Sequence, residues 1–263
     1  MSVPLCCGHS STWHRTSSCR VSDRRRACWP PCSISASSGS ILAPEPQPIS
    51  PVAARFRHIV VEGPIGVGKT SLARRLGASI GARLLLEQPE ANPFLARFYR
   101  DPARHALATQ LFFLFQRIQQ LAELRQLDLF RTHVVADFLL DKDPLFARLT
   151  LADDELKLYE QLFAQLAPQA PTPDLVIYLQ APVETLIERV ARRGNAAEAA
   201  ITADYLGRLA ESYARYFHDF DAARLLVVNA EHIDPIGREQ DYALLVDRIG
   251  RMRGRREYFN LAG

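Results

Sequence analysis

The segment from Glu62 to Ser71 reads EGPIGVGKTS and restricts the fold of this chain more than any other stretch. It matches the pattern G-x-x-x-x-G-K-[ST], whose backbone N–H groups surround phosphates. Such a loop needs a strand before it and a helix after it, because the first amides of a helix and the helix dipole favour an anion. Residues 58–61 are largely apolar and β-branched, and residues 70–76 carry apolar side chains at helical spacing, which predicts both flanks.

The loop itself supplies the predicted contacts to phosphate. In this motif the lysine, here Lys69, reaches the outer phosphates, and the hydroxyl of Thr70 is placed to ligate Mg²⁺. The nucleotide-binding residues that the motif predicts are Gly63, Pro64, Ile65, Gly66, Val67, Gly68, Lys69, Thr70 and Ser71. A chance cluster of glycines is the alternative, and the flanking strand and helix disfavour it.

Segments with strand character alternate with helical segments in the rest of the chain. Strands are predicted at residues 58–61, 82–87, 132–137, 174–179 and 224–229. Helices are predicted at residues 70–76, about 102–127, 155–166, 183–192 and 203–220. Strands this apolar, alternating with helices, predict an α/β fold with a five-stranded parallel sheet covered by helices on both faces.

Two predicted strands end in a carboxylate, at Glu87 and at Asp137. Ligands of parallel sheets bind beyond the carboxyl ends of the strands, so we expect both residues to lie beside the phosphate loop in one crevice. A carboxylate at a strand end can also cap a helix. The convergence of two carboxylates on a phosphate loop favours a functional site.

The first 54 residues differ in composition from the remainder. They are rich in Ser, Pro and Arg, and they hold all five cysteines and both tryptophans. Five of the 32 basic and two of the 29 acidic residues lie there, which leaves 27 of each in residues 55–263. The formal charge of +3 therefore belongs to residues 1–54, and the remainder has no excess charge that would favour nucleic acid as a partner.

We expect residues 1–54 to be a disordered leader and residues 55–263 to form the functional domain. The leader has three interpretations: a transit peptide, a metal or disulfide module, or an artefact of an overlong start. The cysteine spacing lacks a paired C-x-x-C set, which disfavours zinc, and the overlong start is favoured. No run of 18 apolar residues occurs, so a cytoplasmic protein without a membrane segment is expected.

Further features are spread along residues 56–230. Tyr99 and Gln110 stand eleven positions apart, and Arg117 follows seven positions after Gln110. An acid ends the second predicted strand, and residues 188–198 read ERVARRGNAAE. Together with the phosphate loop, this set resembles the deoxynucleoside kinases, especially their bacterial deoxyadenosine/deoxyguanosine branch, over nearly all of that range.

The resemblance implies ATP-dependent phosphorylation of the 5′-hydroxyl of a deoxynucleoside to the 5′-monophosphate, with Mg²⁺. It implies that Glu87 is the base that takes the proton of that hydroxyl. The cations implied for the transferring phosphoryl group are Lys69, Arg189 and Arg193. The residues implied for Mg²⁺ are Thr70 and Asp137.

The same resemblance implies an acceptor pocket. Tyr99 and Glu198 would bind the sugar 3′-hydroxyl. Gln110 would read the base edge with an amide that both donates and accepts, and Phe146 would stack on the base. Arg117 would lie on the same helix face as Gln110. An isolated glutamine is usually solvated and an isolated phenylalanine usually belongs to the core, and the joint spacing favours the pocket.

Two positions depart from the family pattern. The family has acid-Arg-Ser after the third strand, whereas this chain reads DFL from Asp137. Phe138 thus replaces an arginine, and Lys142 is the nearest cation that could substitute for it. Asn195 stands where the family has a further lid arginine. Both changes remove positive charge from the phosphate site. Reduced activity and an altered substrate are both compatible with this loss.

Two other functions share part of this pattern. A thymidylate kinase-like nucleoside monophosphate kinase has the same loop, sheet and lid, but typically carries Asp-Arg where this chain has Asp137-Phe138. A regulatory P-loop ATPase would need no acceptor pocket. The sequence predicts neither the preferred base nor the oligomeric state. The family is usually dimeric, and the apolar residues 111–115 could serve a homodimer interface as well as the core.

Overall fold

A computed structural model describes residues 52–126, 132–167, 170–196 and 198–260. The predicted leader lies outside the described residues up to residue 51. Val52 and Ala53, which the composition assigns to the leader, are buried, and Val52 belongs to the same hydrophobic cluster as Phe56. The packed part of the chain therefore includes at least these two residues before position 55.

Six parallel strands form one sheet in the described part of the chain. They are β1 (His58–Glu62), β2 (Arg83–Leu85), β3 (Val134–Ala136), β4 (Leu175–Gln180), β5 (Arg224–Asn229) and β6 (Arg256–Phe259). Their order across the sheet is β2-β3-β1-β4-β5-β6, and Ile59 of β1 pairs with Val135 on one side and Leu175 on the other. The predicted parallel sheet is confirmed, but the predicted number of five strands omits β6.

Eight α-helices lie in the described ranges. They are α1 (Lys69–Ile80), α2 (Leu95–Phe98), α3 (Pro102–Gln126), α4 (Asp143–Thr150), α5 (Asp153–Leu166), α6 (Val183–Arg193), α7 (Ala203–Asp219) and α8 (Glu239–Arg251). The five predicted helices correspond to α1, α3, α5, α6 and α7, and the predicted end at residue 127 lies outside the described residues. Among the described helices, none has the length and apolar character needed to cross a membrane.

Strand β1 is buried along its whole length near the centre of the sheet. Its side chains alternate between two hydrophobic clusters. Ile59 and Val61 pack in the cluster that includes side chains of α1 and α8, whereas Val60 packs in the cluster that includes side chains of α3 and α7. This two-sided burial accounts for the nearly continuous apolar sequences of the strands.

The order of the strands creates a crevice at the end of β1. Strand β3 lies on one side of β1 and β4 on the other, and such switch points leave room for a ligand beyond the carboxyl ends of the strands. Strand β3 ends at Ala136, so Asp137 directly follows the strand and is not its last residue as predicted. Strand β2 ends at Leu85, so Glu87 lies two residues beyond the strand and not at its last position, which corrects the predicted strand end.

Candidate active site

The phosphate loop joins β1 to α1, so the predicted frame of strand, loop and helix is present. Gly63 has a φ of 149°, and a Cβ atom there would lie 2.4 Å from the carbonyl oxygen of Leu179. Gly68, which precedes α1, has a φ of 105°. The course of the loop requires glycine at both positions. Lys69 folds back over the loop, and its Nζ donates to the carbonyl oxygen of Pro64 at 3.2 Å.

Asp137 links the start of α1 to the segment after β2. Its Oδ2 accepts a hydrogen bond from the hydroxyl of Thr70 at 2.5 Å, and its Oδ1 accepts from the backbone N–H of Glu87 at 2.7 Å. Burial raises the pKa of Asp137, and the negative charge of Glu87 raises it further, against the hydrogen bond from Thr70. The two predicted carboxylates therefore meet at the phosphate loop.

Thr70 and Asp137 present oxygen atoms of the kind that Mg²⁺ binds. Within the described residues, no group of three or more His, Cys, Asp or Glu side chains is arranged to hold a metal ion on its own. One hydroxyl and one carboxylate in contact suit an ion that keeps most of its ligands as phosphate oxygens and water. The donor set therefore fits Mg²⁺ bound together with a nucleotide.

The carboxylate of Glu87 lies among three cations. Its Oε1 accepts from Arg117 Nε at 2.8 Å, pairs with the Nη2 of the same guanidinium, and lies 3.3 Å from Lys142 Nζ. Burial alone would raise the pKa of Glu87, but the charges of Arg117, Lys142 and Lys69 outweigh burial and hold the pKa at about 2. Glu87 is therefore ionised at neutral pH.

Arg117 bridges two carboxylates at the base of the crevice. Besides Glu87, it forms an ion pair with Asp143, the first residue of α4. Its guanidinium also lies 5.2 Å from the ring centroid of Phe113 and 5.9 Å from that of Phe138. Burial raises the pKa of Asp143 to about 6, although Arg117 opposes the shift. The sequence predicts Arg117 but gives no local signal for its partner Asp143.

A cavity of about 110 Å³ opens beside Glu87. It is lined by all five predicted acceptor residues, which are Tyr99, Gln110, Arg117, Phe146 and Glu198. Lys69, Thr70 and Glu87 line the same cavity. The structure thus brings the residues expected to bind acceptor together with part of the phosphate loop.

Aromatic and charged side chains close the wall of this cavity around Tyr99. The ring of Tyr99 lies 5.2 Å from that of Phe98 and 6.5 Å from that of Tyr205. Arg193 reaches across to Glu198, with 2.6 Å between Nη2 and Oε2. Tyr205 is a wall residue that the sequence analysis misses, because a tyrosine inside the amphipathic helix α7 reads as an ordinary core residue.

A second and larger cavity, of about 730 Å³, lies on the other side of the phosphate loop. It is lined by residues 66–71, by Arg189 and Arg193 of α6, and by residues 230–238 after β5. Arg189 donates to the carbonyl oxygens of Val67 at 3.3 Å and Ala230 at 2.8 Å. Arg193 lines both cavities and is half exposed. The sequence motifs give no indication that residues 230–238 take part.

Sequence comparisons identify the family of this chain. The family model for deoxynucleoside kinases matches residues 59–252. The deoxyguanosine kinase of Bacillus subtilis strain 168 is 35% identical over 156 residues, which cover 59% of this chain and 75% of that protein. The deoxyadenosine/deoxycytidine kinase of the same organism is 29% identical over 201 residues, covering 73% of this chain and 90% of that protein.

Solved structures share the fold. Deoxyadenosine kinase from M. mycoides, with the products dCMP and a flexible dCDP bound, superposes with a TM-score of 0.65 and 22% identity. The superposition covers 74% of this chain and 99% of that chain. Since the family match extends over most of the sequence and includes the phosphate loop, Glu87 and both cavities, this chain belongs to the deoxynucleoside kinase family.

Proposed function

We propose that this chain transfers the γ-phosphoryl group of ATP to the 5′-hydroxyl of a deoxynucleoside, releasing the 5′-monophosphate, and that Glu87 is the base. One observation carries the proposal: a single cavity joins Lys69 and Thr70 of the phosphate loop to Glu87, Tyr99 and Gln110. An acceptor hydroxyl held in that cavity lies between a carboxylate and the end of a loop-bound triphosphate. Such positioning is most of what phosphoryl transfer requires.

Glu87 orients the 5′-hydroxyl and takes its proton. With a pKa of about 2 it is a weak base, and a weak base suffices because the transition state of phosphoryl transfer is loose and leaves little charge on the attacking oxygen. The proton moves once the new bond to phosphorus is forming and the hydroxyl has become acidic. The ion pair with Arg117 keeps the carboxylate in place until then.

Positive charge around the transferring group comes from three side chains. Lys69 lies in the loop, and burial lowers its pKa, as does the neighbouring charge of Lys142. Arg193 stands between the two cavities, where it can contact both reactants. Arg189 ties the loop to residue 230 and places its charge on the donor side. These cations stabilise the charge that spreads over the phosphoryl oxygens.

Thr70 and Asp137 would hold Mg²⁺ in the complex with ATP. The ion supplies positive charge that neutralises the β- and γ-phosphate oxygens when it is bound. Their hydroxyl and carboxylate are already in contact at 2.5 Å, so little movement is needed to present both oxygens to one ion.

The acceptor side of the cavity suits a deoxynucleoside. Tyr99 and Glu198 are assigned to the 3′-hydroxyl, and Gln110 to the edge of the base. Phe146 supplies an aromatic face for the base. Gln110 is buried, and its Nε2 lies 3.4 Å from the hydroxyl of Thr150. The amide oxygen of Gln110 can then accept a hydrogen bond from the base.

The negative charge of Glu87 disfavours activity as a nucleoside monophosphate kinase. Its acceptor carries a phosphate, which would have to approach the ionised carboxylate of Glu87. The arginine that typically follows the third strand in that class is Phe138 here, and Phe138 is buried. A neutral sugar hydroxyl meets no such repulsion.

We also infer that the protein acts in the cytoplasm, where ATP is available. We further infer that two copies associate through α3. Leu114 of that helix is buried in the core, whereas Phe115 beside it is 52% exposed. An exposed phenylalanine next to core residues suits a symmetric interface in which each copy covers the other. Sedimentation velocity should show a dimer, and Phe115→Asp should shift it to the monomer.

Phosphorylation of a panel of acceptors tests the function. Purified protein is incubated with γ-labelled ATP, Mg²⁺ and deoxyadenosine, deoxyguanosine, deoxycytidine, thymidine or thymidine monophosphate. We expect labelled nucleoside monophosphates and no labelled diphosphate, and no transfer by Lys69→Ala. Transfer only to the monophosphate, or ATP hydrolysis that no acceptor stimulates, would refute the proposal.

A further inference from the structure

The position after β3 lacks the arginine that the family pattern places there. Phe138 occupies it, and its side chain is only 2% exposed. Its ring lies 5.9 Å from the guanidinium carbon of Arg117, so the position contributes an apolar surface and no charge. Any positive charge that supports Glu87 on this side must therefore come from another residue.

Lys142 supplies a charge at that place from a different element. It ends the short 3₁₀ turn Leu140–Lys142 and is 1% exposed. Its Nζ lies 3.3 Å from Oε1 of Glu87 and 3.0 Å from Oε1 of Glu62. The lysine is therefore a bridge between two carboxylates that approach it from β1 and from the segment after β2.

Glu62 is a rigid anchor for this bridge. It is the last residue of β1 and is fully buried. Its Oε1 accepts from the backbone N–H of Leu139 at 2.7 Å, and its Oε2 accepts from the backbone N–H of Gly63 at 3.0 Å and the hydroxyl of Tyr213 at 3.1 Å. With its oxygens held by three separate donors, Glu62 fixes where the ammonium group of Lys142 can lie.

The other cations near Glu87 have additional partners. Arg117 is shared between Glu87 and Asp143, and Lys69 points to the carbonyl oxygen of Pro64. Among the described residues, Lys142 is the cation paired with Glu62. A buried carboxylate without a cation is costly, so Lys142 is needed to compensate Glu62 and to hold it in position.

We propose that Lys142 is a positioning residue for Glu87: it holds the carboxylate at a fixed distance from the phosphate loop by tying it to Glu62 at the end of β1. It thereby replaces the charge that is missing at Phe138. Glu62 connects directly to Gly63 of the loop, so the base and the loop share one anchor. This inference rests on the proposed role of Glu87.

Lys142→Met tests the inference, because methionine retains the length of the side chain but removes the charge. We expect kcat to fall by about 10–100-fold, as a misplaced catalytic group does, while KM for the deoxynucleoside changes by less than about threefold. Lys157→Met is the matched control, since Lys157 is an exposed lysine of α5. It should retain the wild-type kcat. An unchanged kcat in folded Lys142→Met would refute the inference.

A double-mutant cycle with Glu87→Gln separates positioning from direct action on phosphate. If Lys142 acts through Glu87, Lys142→Met should lower kcat little further once Glu87 is already Gln, because the two effects are not additive. The same fold-loss in both backgrounds would show that Lys142 acts on its own, and would overturn the inference. A normal kcat in Glu87→Gln alone would instead refute the proposed base.

The cycle remains decisive if Lys142→Met fails to fold. In that case Glu62, the buried partner of Lys142, is changed to Gln, because this removes the carboxylate that Lys142→Met leaves without a cation. The effect of Lys142→Met on kcat is then measured in proteins that carry Glu62→Gln. It is measured once with Glu87 intact and once with Glu87→Gln. Loss of kcat on removing Lys142 only when Glu87 is present supports the inference, and equal loss with Gln refutes it.

Discussion

Glu87→Gln exchanges a charged base for an amide of nearly the same shape. The amide oxygen can still accept from Arg117, but the group cannot take up the proton of the 5′-hydroxyl. We expect kcat to fall by about 10²–10⁴-fold, the usual contribution of a general base. The dissociation constant of the deoxynucleoside should change little, because Tyr99, Gln110 and Glu198 are assigned to hold the sugar and the base.

The structure also sets the cost of this change in stability. The pKa of Glu87 is about 2 instead of 4.5, and each unit corresponds to about 1.4 kcal/mol. A depressed pKa means that the ionised group stabilises the fold above pH 4.5, by on the order of 3 kcal/mol, and that this contribution is lost as the pH falls through about 2. The variant should therefore be less stable than wild type at pH 7, and this difference should be smaller at pH 3, where part of the contribution of Glu87 is lost.

Three measurements test the prediction together. They are kcat from a coupled ADP assay, the nucleoside dissociation constant from calorimetry without ATP, and urea unfolding at pH 7 and pH 3. Glu90→Gln is the control, because Glu90 is an exposed carboxylate three positions away and should alter none of them. A near-normal kcat in folded Glu87→Gln would refute the reasoning and move the base to Asp137.

Gln110→Ala should reduce the preference among bases more than it lowers kcat, because a polar base edge left unpaired costs about 1–3 kcal/mol. An equal loss of kcat/KM for all four deoxynucleosides would indicate a structural role. Asp143→Asn should remove a pH dependence: the raised pKa of about 6 means that wild type gains stability as the pH falls from 7 to 5, and parallel unfolding curves for both proteins would contradict this. Removal of residues 1–51 should leave kcat unchanged, since all predicted site residues lie beyond them, and a loss of activity would show that the leader contributes.

The sequence predicts elements with a long regular pattern and misses those without one. Strand β5 matches its predicted bounds. Helix α3 begins at the predicted residue and continues for all 25 described residues of the predicted helix. Strand β6 has four residues at the edge of the sheet, and two of the four in its sequence REYF are charged. Helix α4 begins with Asp143-Pro144 and extends for only eight residues. Such short elements are defined by packing and not by periodicity.

In the site, too, the sequence predicts contiguous motifs and misses contacts between distant positions. The phosphate loop is contiguous in sequence, so its residues and its flanks are readable from one motif. Asp143 is an ion-pair partner of Arg117, 26 positions away, and nothing in the sequence around either residue indicates the pair. Glu62 had one readable signal, an acid at the end of an otherwise apolar strand, since a buried carboxylate needs partners.

The exchange at Phe138 shows why a motif mismatch is weak evidence for a lost function. Arg117 gives Glu87 one cation in contact, at 2.8 Å, and the structure supplies a second through Lys142 at 3.3 Å. Lys142 follows Phe138 by four positions, and the 3₁₀ turn at residues 140–142 brings its side chain back to the site. The effect of a charge depends on where it lies in space and not on its position in the sequence. Lys142 can therefore supply the charge, while the aromatic ring of Phe138 lies beside Arg117.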